Sequence, residues 1–182
     1  MLLTTSRRPT RRIRTLCHDL ARSIPNVLRI NRGKLSLDGI AERALELNAD
    51  RVIVVDRWKG GPGKIKLFRV EPAGLTPVPP LIYVAGIRLQ REFETKIKAV
   101  RSLAVTTAPE NPPDITKIAE NLSNFLNFPL SSIDEAAPKY QASMHVSHNA
   151  SGCSQITFML LPQMVETGPR IAISRVVWEN RK

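Results

Sequence analysis

The apolar residues of the chain recur with two periods, one helical and one extended. Ile13, Leu16, Cys17, Leu20 and Ile24 lie three or four apart, which predicts a helix with one buried side. Thr10 stands where its N-cap should be, and Pro25-Asn26 ends it. Arg11, Arg14, His18 and Arg22 fall mainly off that stripe, so the helix should turn guanidinium groups to solvent. A second helix is predicted behind the cap Ser36, carrying Leu37, Ile40, Ala41, Ala44 and Leu45, with Leu35 and Ile40 placed as a hydrophobic staple. A third is predicted from the cap Asp114 through Ile115, Ile118, Ala119, Leu122, Phe125 and Leu126 to Pro129. Strands are expected at Leu2–Thr5, Val27–Asn31, Arg51–Asp56, Ile65–Val70, Leu81–Ile87, Ser102–Thr107, Tyr140–Val146, Gln155–Leu161 and Arg170–Trp178. Lys59-Gly60-Gly61-Pro62-Gly63-Lys64 reads as the turn of a hairpin, Pro77, Pro79 and Pro80 as a connection, and Asn149–Gly152 as a further turn.

An internal echo runs through this pattern. Leu3-Thr4-Thr5-Ser6, a loop with proline, a helix and Ile24-Pro25 match Val105-Thr106-Thr107-Ala108, a proline-rich loop, a helix and Phe128-Pro129. This predicts an α/β fold of two similar β-α-β-type halves with mixed sheets. The 182 residues suit a single domain, with halves at roughly 1–92 and 93–182.

Charge then separates the halves. Residues 1–70 hold 16 Lys or Arg against six acids, a net charge of +10 out of the chain's +11. A polyanion-binding face accounts for that asymmetry better than a general solubility device does. Nucleic acid is the first candidate and a membrane surface the second, although no apolar run approaches the ~18 residues of a bilayer span. The Arg-rich, acid-free first eighteen residues also resemble a transit peptide, but they pass directly into a core-patterned helix and are expected to be part of the fold. The two cysteines, Cys17 and Cys153, make no disulfide framework and imply reduced thiols.

The candidate chemistry is mostly basic. Arg7, Arg8, Arg11, Arg12, Arg14, Arg29, Arg32 and Lys34, with Lys59 and Lys64 flanking the glycine turn, are the candidate nucleic-acid contacts. Arg predominates, and its planar fork suits phosphate in a two-pronged contact. The Lys59–Lys64 segment lacks the spacing of a phosphate-binding loop: Gly60 and Gly63 are too close, Ile65 follows Lys64, and Pro62 removes a backbone donor. His145, His148 and Cys153 match no compact metal site and read as turn or surface residues. Cys17 lies on the core stripe, so Cys17-His18 reads as a buried thiol beside a solvent histidine, not as a nucleophile and its base. Trp58 is open to two readings, a base-stacking surface or a hairpin packing residue. No catalytic constellation and no cofactor fingerprint emerges.

In order and spacing, Thr4-Thr5-Ser6-Arg7-Arg8-Pro9-Thr10-Arg11-Arg12, then Asn31-Arg32-Gly33-Lys34, then Asp50–Pro62 resemble the Brix-domain family of ribosome-biogenesis proteins. The compact length looks like its archaeal Imp-like branch. The resemblance implies a fold of two halves, each related to the anticodon-binding domain of class IIa aminoacyl-tRNA synthetases. It also implies a non-enzymatic, cofactor-free role in ribosomal RNA processing and ribosomal subunit assembly. The implied partners are ribosomal RNA or its precursor and other ribosome-assembly proteins, with neither a membrane nor a small-molecule substrate. The implied location is the cytoplasm, or the nucleolus for a eukaryotic source. It supports Arg7, Arg8, Arg12, Arg32 and Lys59 as RNA contacts. Two rival readings remain, a protein-interaction module for acidic partners within a ribonucleoprotein, and an RNA-modifying enzyme.

Overall fold

The computed structural model describes residues 1–58, 61–95 and 97–178. The chain runs β1 (Leu2–Thr5), α1 (Arg11–Ser23), β2 (Leu28–Arg29), α2 (Leu37–Glu46), β3 (Arg51–Trp58), β4 (Gly61–Glu71) and β5 (Gly74–Arg88). After a short 3-10 turn at Gln90–Glu92 come β6 (Leu103–Thr106), α3 (Pro113–Leu126), β7 (Leu130–Ser131), α4 (Ile133–Ala136), β8 (Ala142–His148), β9 (Ser154–Leu160), β10 (Val165–Glu166) and β11 (Arg170–Val177). The architecture is a mixed α/β fold built on one large mixed sheet.

The sheet order is β2-β1-β3-β4-β5-β11-β9-β8-β6-β7, with β10 paired to β9. β1 lies parallel to both β2 and β3, and β6 lies parallel to both β7 and β8. The seam between the two sets is the antiparallel pairing of β5 with β11, so the ladder is continuous across the molecule.

Alternation along the strands sends side chains to two different cores. Leu3, Ile53, Val55, Ile65, Leu67 and Ile82 meet the apolar stripes of both α1 and α3, together with Met144, Ile156 and Phe158 from the second strand set. The intervening residues Leu2, Val52, Val54 and Phe68 point the other way, onto Ile40 and Ala44 of α2. α4 adds a small third cluster through Ala136, Ala104 and Leu161. The two faces of the sheet are therefore unequal. α1 and α3 close one, whereas α2 covers only part of the other.

Polar ties hold the helices to this frame. Thr10 accepts from the Ile13 N–H at 3.3 Å and Ser36 from the Gly39 N–H at 3.0 Å, which makes both the predicted caps. Arg51 at the start of β3 donates to the Phe125 carbonyl at 2.5 Å, placing a cation at the carbonyl-rich end of α3. Asp19 accepts from the Gln90 N–H at 3.0 Å, and the Gln90 amide reaches Ser23 Oγ at 2.9 Å.

Several expectations are corrected. Leu37 and Leu45 are not core residues; they are 42% and 54% exposed, because the side of α2 that is buried is the one carrying Ile40, Ala41 and Ala44. Pro77, Pro79 and Pro80 lie inside β5, not in a connection. Pro79 and Pro80 fall within the register shift between β4 and β5, and β11 begins its pairing only at Leu81, so no ladder bond needs their missing N–H. Pro112, not Asp114, caps α3; Pro113 takes the first helical position, whose N–H has no intrahelical partner in any case. The strand expected at Val27–Asn31 shrinks to Leu28–Arg29 on the sheet edge.

Candidate nucleic-acid interface

Because β1, β2 and β3 are parallel, the segments that follow them leave the sheet at one end. Segments outside the carboxyl ends of parallel strands are where open α/β sheets place ligands. Here the first carries Ser6, Arg7 and Arg8, the second carries Arg32 and Lys34, and β3 ends in Asp56, Arg57 and Trp58. Gly33 adopts φ +55°, the left-handed conformation that lets the second segment turn back.

The first two segments are joined through guanidinium groups. Arg7 Nε and Arg32 Nε both donate to the Leu35 carbonyl, at 3.4 and 3.1 Å, and Arg32 Nη1 donates to the Thr5 carbonyl at 3.4 Å. Two like charges are thus held at one acceptor. Partial burial pushes the Arg32 guanidinium down from its ordinary range, the positive charge of Arg7 pushes it further the same way, and Asp56 opposes both. Beside them lies a cleft of about 510 Å³ lined by Ser6, Arg7, Arg32, Asp56 and Lys66. The Ser6 hydroxyl is buried there with no hydrogen-bond partner among the described residues.

The cleft opens onto the sheet face that α2 leaves uncovered. Asp56, Lys64, Tyr83 and Arg175 are direct cross-strand neighbours on β3, β4, β5 and β11, forming one row across four strands. Lys64 Nζ sits 3.8 Å from the Trp58 ring centroid and 5.0 Å from that of Tyr83, and the Arg175 guanidinium is 4.2 Å from the Tyr83 ring. Trp58 and Tyr83 meet edge to face at 6.0 Å. Lys66, next along the same face, pairs with Asp56 at 2.7 Å. Desolvation alone would raise the Tyr83 phenol, but Lys64 and Arg175 outweigh it and lower it, a sign of positive potential over this face.

The candidate basic residues therefore divide. Arg7, Arg32 and Lys64 gather around the cleft and the row, with Arg8 and Lys34 exposed in the same segments. Arg11, Arg12 and Arg14 project from α1, which packs on the opposite face of the sheet. Arg12 is engaged there, donating to the Ile87 carbonyl at 2.8 Å and lying 3.7 Å from Glu92. Arg29 sits on the edge strand and donates to Asn31 Oδ1 at 3.0 Å. Lys59 lies outside the described residues.

Lys66, Tyr83 and Arg175 were not singled out from sequence. The two-residue spacing of Lys64 and Lys66 could have put both on one face, but Arg175 arrives through a pairing 92 residues distant from Tyr83 in sequence and has no local signal. The other candidates have structural surroundings. Burial pushes the Cys17 thiol up to about 12, and Arg29 opposes this only partly. His145 Nδ1 lies 2.9 Å from Thr106 Oγ1, burial lowers its pKa, and His148 lies 3.9 Å from Asp114. No helix among the described residues is long and apolar enough to cross a membrane.

No protein-family model matches the chain. Among curated proteins, the chain is similar to three probable Brix domain-containing ribosomal biogenesis proteins. That of Pyrococcus horikoshii is 39% identical over 112 residues, covering 59% of this chain and 50% of the relative. That of Thermococcus kodakarensis is 36% identical over 124 residues, covering 66% and 59%. That of Methanopyrus kandleri is 33% identical over 129 residues, covering 68% and 65%. The chain is a homologue of the archaeal Brix-domain proteins. Its match spans about half the length of the first of these relatives. Two solved structures share the fold of this Brix homologue. A probable ribosomal biogenesis protein from Aeropyrum pernix K1 superposes with a TM-score of 0.78 at 23% identity, covering 100% of this chain and 96% of that one. An archaeal Imp4-like protein superposes with a TM-score of 0.69 at 21% identity, covering 98% and 100%.

Proposed function

We propose that the chain is a non-catalytic RNA-binding factor of ribosomal RNA processing and ribosomal subunit assembly, working in the cytoplasm and holding precursor ribosomal RNA on the basic face of its first half. The observation that carries this reading is the convergence of Arg7 and Arg32 on one carbonyl beside a cleft, next to a face bearing Lys64, Lys66 and Arg175. Like charges held at one acceptor repel, and a phosphate between them would relieve that repulsion through charge-assisted hydrogen bonds. The names of the curated relatives support the assembly role. Arg8, Lys34 and Lys59 are assigned to flanking phosphates, whereas Arg11, Arg12 and Arg14 on the opposite face and Arg29 on the edge strand are assigned only to longer-range attraction.

The division into pseudo-repeat halves at roughly 1–92 and 93–182 belongs to the same proposal, as does their likeness to the anticodon-binding domain of class IIa aminoacyl-tRNA synthetases. The matching orders β2-β1-β3-β4 and β7-β6-β8-β9 support the division. The more neutral second half is then the candidate docking site for other assembly proteins.

Filter binding of a precursor-rRNA fragment over a salt series tests the proposal. Affinity should fall with salt along a slope of about −0.7 per phosphate contact on single strands and about −0.9 on duplex. Binding that is absent, or insensitive to salt, would overturn it. Co-purification with acidic proteins that survives nuclease treatment would point to a protein-interaction module instead.

A further inference from the structure

We propose that Trp58 and Tyr83 form a stacking platform for an unpaired nucleobase, so that this face takes single-stranded RNA and not duplex. The inference rests on the RNA reading above and names the form of RNA that the site selects.

Aromatic residues are scarce in this chain, with two Trp, two Tyr and five Phe. Phe68, Phe93, Phe125 and Phe158 are buried, as aromatics with a packing role should be. Trp58 is 46% exposed, on the part of the sheet face that α2 leaves uncovered, and Tyr83 meets it from β5, two strands away across β4. Each ring has a cation against it, Lys64 at Trp58 and Arg175 at Tyr83. That pairing suits a nucleotide. The ring offers its face to a base, and the adjacent cation can turn to the phosphate.

The backbone is shaped around Trp58. Asp56 faces Lys64 but Arg57 faces Pro62, so Gly63 is the extra residue of a bulge. A Cβ on Gly63 would come within 2.0 Å of the Trp58 Cβ, and only glycine permits that approach. Bulges commonly re-aim a side chain at the rim of a sheet, and this one delivers Trp58 beside the Lys64–Tyr83–Arg175 row. In a duplex the base faces are stacked on one another and closed to a ring, whereas unpaired bases splay onto aromatic surfaces.

The test uses the full chain with Trp178→Phe, which leaves Trp58 as the only tryptophan. Short single-stranded oligo(U) and an RNA duplex of equal length are titrated in turn, with tryptophan emission and filter binding as readouts. Oligo(U) should quench Trp58 and the duplex should not. Trp58→Ala should weaken oligo(U) binding about tenfold while leaving the salt slope unchanged, because stacking releases no counterions. Trp58→Phe should retain most of the affinity. Equal quenching by duplex or by a poly-glutamate peptide, or native affinity in Trp58→Ala, would overturn the platform. If the chain binds RNA with a salt slope while Trp58 stays silent, stacking fails and the RNA reading stands; if it binds no RNA, both fail.

Discussion

Removing Arg7 and Arg32 together is the sharpest perturbation of the cleft. The two guanidiniums share the Leu35 carbonyl and can neutralise two phosphates. On single-stranded RNA their loss should make the salt slope shallower by about 1.4, so a fourfold rise in salt would weaken the Arg7→Ala/Arg32→Ala chain roughly sevenfold less than the native one. The structural cost is modest. Three hydrogen bonds disappear, two of them at 3.4 Å, and relief of the repulsion between the two arginines offsets part of the loss. A net cost of about 1–2 kcal/mol follows. Thermal unfolding would first show that the variant is folded, and filter binding over a salt series would then give the slope. Arg11→Ala/Arg14→Ala is the matched control, since it removes the same charge from α1 on the opposite face. It should change the slope less. Equal slopes in the two double variants would mean that charge number governs binding and placement does not, which would refute the reasoning.

Other measurements bear on the frame. Arg51→Met leaves the carbonyl end of α3 without its cation and should cost about 1.5–3 kcal/mol in denaturant unfolding. Ile118, fully packed in the shared core, should cost about 2–5 kcal/mol when cut to Ala, as read by the shift in midpoint at constant m-value. Gly63→Ala must displace Trp58 and should change its emission even without RNA, which near-native emission would contradict. Burial raises Asp19 above its ordinary 3.8, with the Gln90 N–H and nearby cations opposing, so the folded chain holds that proton more tightly than the unfolded one. Its contribution therefore favours folding most below 3.8 and declines as pH rises through the folded value. Asp19→Asn should gain in melting temperature relative to the native chain as pH climbs from below 3.8 to neutral, and a pH-independent difference would exclude this account.

Much of the frame was legible because it obeys short periods. The stripes of α1 and α3 are buried at every position the spacing named, although Ile24 lies one residue past its helix as the cap. β3 was legible from its β-branched run. β5 was only half seen, since a proline cluster argues against a strand unless a register shift excuses the missing donors. α4 spans four residues, too short for a period to show, yet its capping box of Ser132 and Glu135 was present to be read. At the site, Arg7 and Arg32 were named from charge, but their meeting at Leu35 is a tertiary fact. The Asp56–Lys64–Tyr83–Arg175 row depends on two registers and a strand from the far end of the chain, which no local window contains.

The position of β11 has a consequence in time. It is the last described strand in chain order, yet it sits mid-sheet between β5 and β9. A chain emerging from its amino end thus carries the cleft arginines early but gains Arg175 late, when β11 inserts. The basic face is then completed by the same event that sutures the two sides of the ladder together. A nascent molecule would present a partial cationic edge before it could present the finished row of cross-strand neighbours.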